Sequence, residues 1–323
     1  MRHATLMLLI LTFISCAPSR SAARNATRKA ERGVAPLAED PATALAWLPA
    51  EFTWIQHQGG GHVPILDYLK SRFKNERPAC FDRFAAEVDH AFGLCRFVGD
   101  RMVNAWHGIS DRDSAERCAG EVWKALTGRQ LKIEREGSFT RMRDTHSTLY
   151  VAWSDDGWLY HHDDPAPLES LLKRGSTPTL AASLRPLLSR VSFSDVMWNV
   201  AVGDILGPFI GVKSTALVQR FEHLPDKTPA SLPVRFIFPN PGDASRAREA
   251  IVRAGDDPVF PEPLRRGLAS LSPQVIGTEI EVDVRVFLTE FEVMKAAGEW
   301  LQQEMACRKG KLDACHRRAT GEK

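Results

Sequence analysis

Apolar and polar positions change period several times along this chain, and each change marks an element. Over residues 63–73, Ile65, Leu66, Leu69 and Phe73 recur at helical spacing. A second helical face follows Pro78, with Phe81, Phe84, Ala85, Val88 and Phe92. A third helix is expected over 113–126, its apolar stripe made of Ala115, Cys118, Ala119, Val122 and Leu126. Elsewhere the period drops to two. Leu232, Val234, Phe236 and Phe238 alternate with other residues. So do Ile280, Val282, Val284 and Val286, with Glu281, Asp283 and Arg285 between them. Such alternation describes strands with one buried and one wet face.

Shorter runs fill in the order. Residues 52–56 read as a strand, ended by Gly59-Gly60-Gly61. Residues 94–98 and 102–106 read as a hairpin around Gly99-Asp100. Residues 131–162 read as antiparallel strands, with Asp155-Asp156-Gly157 between two apolar runs as the turn. Pro165 opens a helix carrying Leu168, Leu171 and Leu172, and 180–188 reads as a helix that Pro186 ends early. Strands are expected at 196–202 and 216–221, and a helix at 243–254 with the stripe Ala244, Ala247, Ile251 and Ala254. A last helix starts at Thr289 with Glu292 three residues on, a capping box, and docks through Val293, Ala297, Trp300 and Leu301.

In each half a strand (103–106, 234–238) runs through an Asp-containing turn into an Ala-rich helix (from Asp113, from Asp243). The expected fold class is α+β: two similar antiparallel-sheet domains with helices packed on one face. They are placed at 44–176 and 177–306, followed by a basic tail at 307–323.

The N-terminal stretch has its own pattern. Arg2 precedes a mostly apolar run, 4–14, closed by Ser15 and Cys16. A charged start, an apolar segment of about 7–15 residues and a small residue before a cleavage point form an export signal. Residues 1–16 resemble the signal peptide of bacterial lipoproteins, and that resemblance implies Cys16 as the lipid attachment point. Phe13 stands where such signals usually have Leu. The alternative is a secreted or periplasmic protein cleaved near Ser21-Ala22-Ala23. Crossing a bilayer takes about 20 apolar residues, which no run here reaches. Residues 17–43 are expected to be a flexible tether, extended by Pro36 and Pro41. Over 20–32 its cations, Arg20, Arg24, Arg28, Lys29 and Arg32, face only Glu31. A solvated spacer accounts for them more simply than a segment lying on anionic headgroups.

Net charge is +2. That balance argues against nucleic acid as a partner, which calls for a clustered basic surface. Of the six cysteines, lipid on Cys16 would leave five. Cys307 and Cys315 form the expected disulfide, worth about 2.5 kcal/mol for so short a loop. The pairing of Cys80, Cys95 and Cys118 stays open, and Cys118 is read as a small buried hydrophobe. C-x-x-C spacing is absent, so redox and zinc sites of that type are not expected.

The order of features resembles a group of uncharacterised bacterial envelope lipoproteins. The likeness rests on the lipobox, the tether, Leu48-Pro49-Ala50-Glu51, a Cys-containing helix, Asp155-Asp156-Gly157 and Trp198 within a later strand. It covers 45–306. It implies an envelope location and a two-part α+β body, and it implies no activity.

Chemical motifs are sparse. Neither G-x-S-x-G nor H-E-x-x-H occurs. Gly207 and Gly211 are separated by three residues, and Val212 precedes Lys213, so this segment is a loop rather than a phosphate cradle. His57 and His62 flank three glycines, and His161 and His162 precede Asp163 and Asp164. Imidazoles suit zinc or copper, but neighbouring strand residues point to opposite faces. No metal and no cofactor are assigned. Trp153 and Trp158 flank one hairpin. They are expected in the core; facing outward, they would form a platform for sugar or peptide.

The expected function is that of a non-enzymatic, lipid-anchored envelope protein with a binding or structural role. Its partners would be the membrane, through the lipid, and a protein or small-molecule ligand. The alternatives are a carrier of apolar ligands, with a cavity between sheet and helices, and an envelope hydrolase.

Overall fold

Asp111 starts the longest helix of the larger unit, and its carboxylate accepts the Ser114 N–H at 3.0 Å. Helix Arg112–Thr127 then runs to Gly128, whose φ of 74° closes it in the left-handed conformation. This computed structural model describes residues 34–59, 63–73, 77–96, 101–173, 179–221, 232–286, 290–293, 295–297 and 299–300. The contacts divide them into two units. The larger takes in the described residues to Ala201 together with Arg220 and Phe221. The smaller takes in Val202–Gln219 and the described residues from 232 on.

In chain order the larger unit contains α1 (Pro41–Ala44), β1 (Trp54–Gln58), α2 (Pro64–Arg72), α3 (Ala79–Glu87), β2 (His90–Cys95) and β3 (Val103–His107). Then come α4 (Arg112–Thr127), β4 (Lys132–Glu136), β5 (Phe139–Arg143), β6 (Thr148–Trp153) and β7 (Trp158–His162). It closes with α5 (Ala166–Leu172), α6 (Arg185–Leu188) and β8 (Met197–Val202). The strands pair antiparallel in the order β8-β1-β2-β3-β7-β6-β5-β4. The division by contacts falls after Ala201, and β8 hydrogen-bonds to β1.

Strand alternation sends two sets of side chains to two faces. On one face Trp106, Val151, Leu159 and Met142 pack with Leu66 of α2, Phe81 of α3, and Ala115 and Cys118 of α4. On the other, Trp158 lies 5.3 Å ring-to-ring from Trp47, 5.9 Å from Tyr160 and 5.2 Å from Phe92. Both faces of the central strands are thus dry, and β1 is buried from Ile55 to Gln58. β4 is an edge strand of mainly exposed, charged residues, which discourages further pairing.

The β6–β7 turn matches expectation. Gly157 has φ 88°, and the Ser154 N–H donates to the Trp158 carbonyl at 3.0 Å. A side chain at Gly157 would also strike Val34, the first described residue, which is buried. Three local expectations need correction. Cys118 is not simply a buried hydrophobe: it forms a disulfide with Cys80, joining α3 to α4 with a Cα–Cα distance of 5.5 Å. Phe92 lies in β2, because α3 ends at Glu87. Pro186 starts helix α6 rather than ending one, since the first turn has no amide donor to lose.

The smaller unit contains α7 (Gly207–Ile210), β9 (Ala216–Phe221), β10 (Pro233–Ile237), α8 (Pro241–Ala254), α9 (Glu262–Ala269), β11 (Gln274–Ile276) and β12 (Glu279–Asp283). The strand order is β11-β12-β10-β9, with antiparallel pairing. Ala244, Ala247, Ile251 and Ala254 are buried, as the stripe of α8 requires. Asn240 caps it by accepting the Asp243 N–H at 2.9 Å. The described residues of 291–300 are helical, with Val293 and Trp300 buried and Trp300 against Phe260 at 5.0 Å. The α+β class holds across the chain.

Candidate functional site

β1 places His57 directly between Phe92 on β2 and Trp198 on β8. Its side chain is fully buried. Its ring stacks on Trp198 at 4.9 Å, and Phe92 and Phe193 lie 5.0 Å away. His57 Nε2 is 2.9 Å from His90 Nδ1, at the start of β2. His90 is paired across the ladder with His107 of β3, their rings 6.3 Å apart. His107 Nδ1 is 2.8 Å from Asp89 Oδ1, and the Asp89 N–H donates to the His107 carbonyl at 3.1 Å. Three imidazoles and one carboxylate therefore form a row across three strands.

Gly59 closes this row from the side. Its N–H donates to the Val196 carbonyl at 2.9 Å, and a Cβ there would lie 2.6 Å from both His57 Nε2 and His90 Nδ1. Only glycine permits so close an approach of backbone to the histidine pair. The cage sets the charge state. Burial, then the neighbouring His90, push the pKa of His57 well below the ordinary histidine value, against a weaker opposite pull from Asp89. His57 is thus neutral near pH 7, and its Nδ1 has no hydrogen-bond partner. One proton fits between His57 Nε2 and His90 Nδ1.

A second buried polar centre lies on α4. Glu116 accepts from Thr140 Oγ1 at 2.5 Å, Arg112 Nε at 2.9 Å and Arg135 Nη2 at 2.8 Å. Burial raises its pKa. The Thr140 hydroxyl and the two guanidiniums outweigh that and hold it below the usual carboxylate range. Arg135 also pairs with Asp113. This network ties α4 to β4 and β5.

Of the histidines singled out in the sequence, His57 belongs to the row, whereas His62 lies outside the described residues. His161 and His162 point to opposite faces, as strand neighbours must. His161 is half-buried and stacked on Trp106 at 6.2 Å. Burial, and then His162, push its pKa down to about 4. His162 is buried, and its Nδ1 accepts the Asp164 N–H at 3.0 Å. Among the described residues, no group of three or more His, Cys, Asp or Glu side chains is arranged to hold a metal ion. Trp153 and Trp158 do not form an exposed platform. Trp153 packs against the helix-side core and Trp158 against the opposite face. Cys16, Cys307 and Cys315 lie outside the described residues. Among the described residues, no helix is long and apolar enough to cross a membrane. The sequence reading missed His90, His107 and Asp89. The available signal was the alternation His90, Phe92, Leu94, which marks one face of a strand.

No family model matches the chain, and no curated protein matches it. Solved structures that it resembles include crystal form I of TP0453, at 9% identity and a TM-score of 0.43, covering 78% of this chain and 96% of that one. Crystal form III of TP0453 is similar at 9% identity and a TM-score of 0.42, covering 74% of this chain and 91% of that one.

Proposed function

We propose that this chain is an exported, lipid-anchored cell-envelope protein whose folded body has a non-enzymatic binding or structural role. The observation that carries the reading is the Cys80–Cys118 disulfide between α3 and α4. Disulfides persist in oxidising compartments outside the cytoplasm and are rare within it. The pattern at 1–16 supports the same destination, and Cys16 supplies the anchor. The buried histidine row supports a role other than turnover. A general base must reach the proton that it removes, and His57 is enclosed by Phe92, Phe193 and Trp198.

The test is thiol trapping in intact cells of the native host. An alkylating reagent is added before lysis, and the peptides bearing Cys80 and Cys118 are mapped. The reading expects both to be labelled only after reduction. Direct labelling of both would place the protein in a reducing compartment and remove the proposal.

A further inference from the structure

β4 stands at one end of the strand order, and among the described residues β5 is the strand bonded to it. Four of its five residues are exposed and Glu134 is half-buried, so this edge is open to solvent. Hairpin geometry decides which backbone groups are spare. The turn Gly137-Ser138 has two residues, and Glu136 pairs with Phe139 across it. Residues flanking such a turn exchange both bonds, and the ladder alternates from there. Glu136, Glu134 and Lys132 thus bond across to β5, whereas the N–H and C=O of Ile133 and Arg135 face outward from the edge.

The side chains carry a second pattern. Lys132, Glu134 and Glu136 share one face of the strand. Lys132 pairs with Glu134, which also takes Arg141 at 2.9 Å and Arg143 at 3.3 Å. Ile133 lies on the other face, where a Cβ added at Gly120 of α4 would stand 3.7 Å from its Cδ1. Among the described residues it is the one large apolar side chain of the larger unit that is exposed, at 37%.

We propose that β4 is a self-pairing edge: two copies of this chain join β4 to β4, antiparallel, on a twofold axis at Ile133. In that register Ile133 meets its own copy, and Lys132 of each chain lies opposite Glu134 of the other. Ile133 with itself, and Leu131 with Arg135, become hydrogen-bonded pairs, so the outward backbone groups and the ion pairs are satisfied together. Arg135 keeps its guanidinium on Asp113 and Glu116 and offers Leu131 its aliphatic stem. A register centred on Glu134 instead sets two carboxylates face to face. The charges that turn other strands away from this edge are complementary to its own copy. The contact is one strand wide, so the dimer is a weak one that depends on concentration. The pairing goes beyond the envelope role and does not depend on it.

The test uses the purified full chain in a non-ionic detergent, with sedimentation equilibrium over a range of protein concentration. The native chain and Lys132→Arg are expected to dimerise with the same midpoint. Lys132→Glu, at a side chain that is 62% exposed, puts like charges opposite each other and is expected to raise the midpoint at least about tenfold. The register has its own readout. Residues opposed in a hydrogen-bonded pair have Cα atoms about 5.5 Å apart, within disulfide reach. Oxidised Ile133→Cys is therefore expected to give a covalent dimer whose mapped link joins residue 133 to residue 133, and Glu134→Cys to give none through residue 134. A native chain that stays monomeric at every concentration overturns the proposal. So does a dimer whose midpoint Lys132→Glu leaves unchanged, and so does linkage through residue 134 rather than 133.

Discussion

The bond between His57 and His90, 2.9 Å long, joins positions 33 residues apart and lies on the fully buried face of β1. Because His57 is held neutral there, its contribution to stability depends on pH. The unfolded chain binds a proton at about pH 6.5, whereas the folded chain binds it only well below that. The unfolded state therefore holds more protons as pH falls below about 6.5, and stability drops in that direction. His161, pushed down to about 4, acts with the same sign between about pH 6.5 and its own pKa. Each group can contribute up to about 1.4 kcal/mol per pH unit within its window. Urea unfolding at pH about 7.5, 6 and 5 should show the decline before the carboxylates begin to titrate. A flat profile over that range would contradict the buried, neutral state of His57.

Cys80 and Cys118 close a loop across a separation of 38 residues. The chain-entropy estimate for such a loop is about 4 kcal/mol. Replacing both with Ala, or adding reductant to the native chain, should lower thermal stability by similar amounts. Reductant should have little further effect on the double variant. A large residual effect would mean that another disulfide carries the stability.

The Val34–Gly157 contact is testable by a cycle of substitutions. Gly157→Ala forces a side chain into a φ of 88° and against Val34. The expected cost is about 1–3 kcal/mol. Adding Val34→Ala should recover the steric part and leave the backbone part. Strict additivity of the two changes would show that the start of the described chain does not press on this turn.

Glu116→Gln should cost about 2 kcal/mol, less than for a sealed ion pair, because Arg112 and Arg135 can turn toward water. The native carboxyl is held below its usual pKa. Its stabilising effect is therefore full above the unfolded value and disappears as pH falls through the folded one. The variant should accordingly be less sensitive to acid between pH about 5 and 3. Equal acid sensitivity would contradict the network.

The fold was legible where one period ran long enough. The stripes of α4 and α8, the alternation in β10, that in β12 through Ile280 and Val282, and the Asp-Gly turn before Trp158 appear in the structure, whereas the strand expected on to Val286 stops at Asp283 and 285–286 are helical. The histidine row was hidden by small boundary errors. Phe92 falls at helical spacing from Val88, so the sequence extended α3 over His90, although that helix stops at Glu87. The strand at 102–106 ended one residue before His107. Tertiary pairing decided both: β2 starts where His90 meets His107. The Cys80–Cys118 pairing was unreadable for a related reason. It depends on how α3 packs against α4, which no sequence spacing encodes.

The most direct test of the envelope reading is the mass of the mature N-terminus, taken from a membrane fraction of the native host beside a Cys16→Ala variant. The expected result is a diacylated or triacylated Cys16 in the native protein, with the lipid mass and the membrane association both lost in the variant. A soluble native protein beginning near Arg24, unchanged by the substitution, would contradict the anchor and leave a diffusible secreted body in its place.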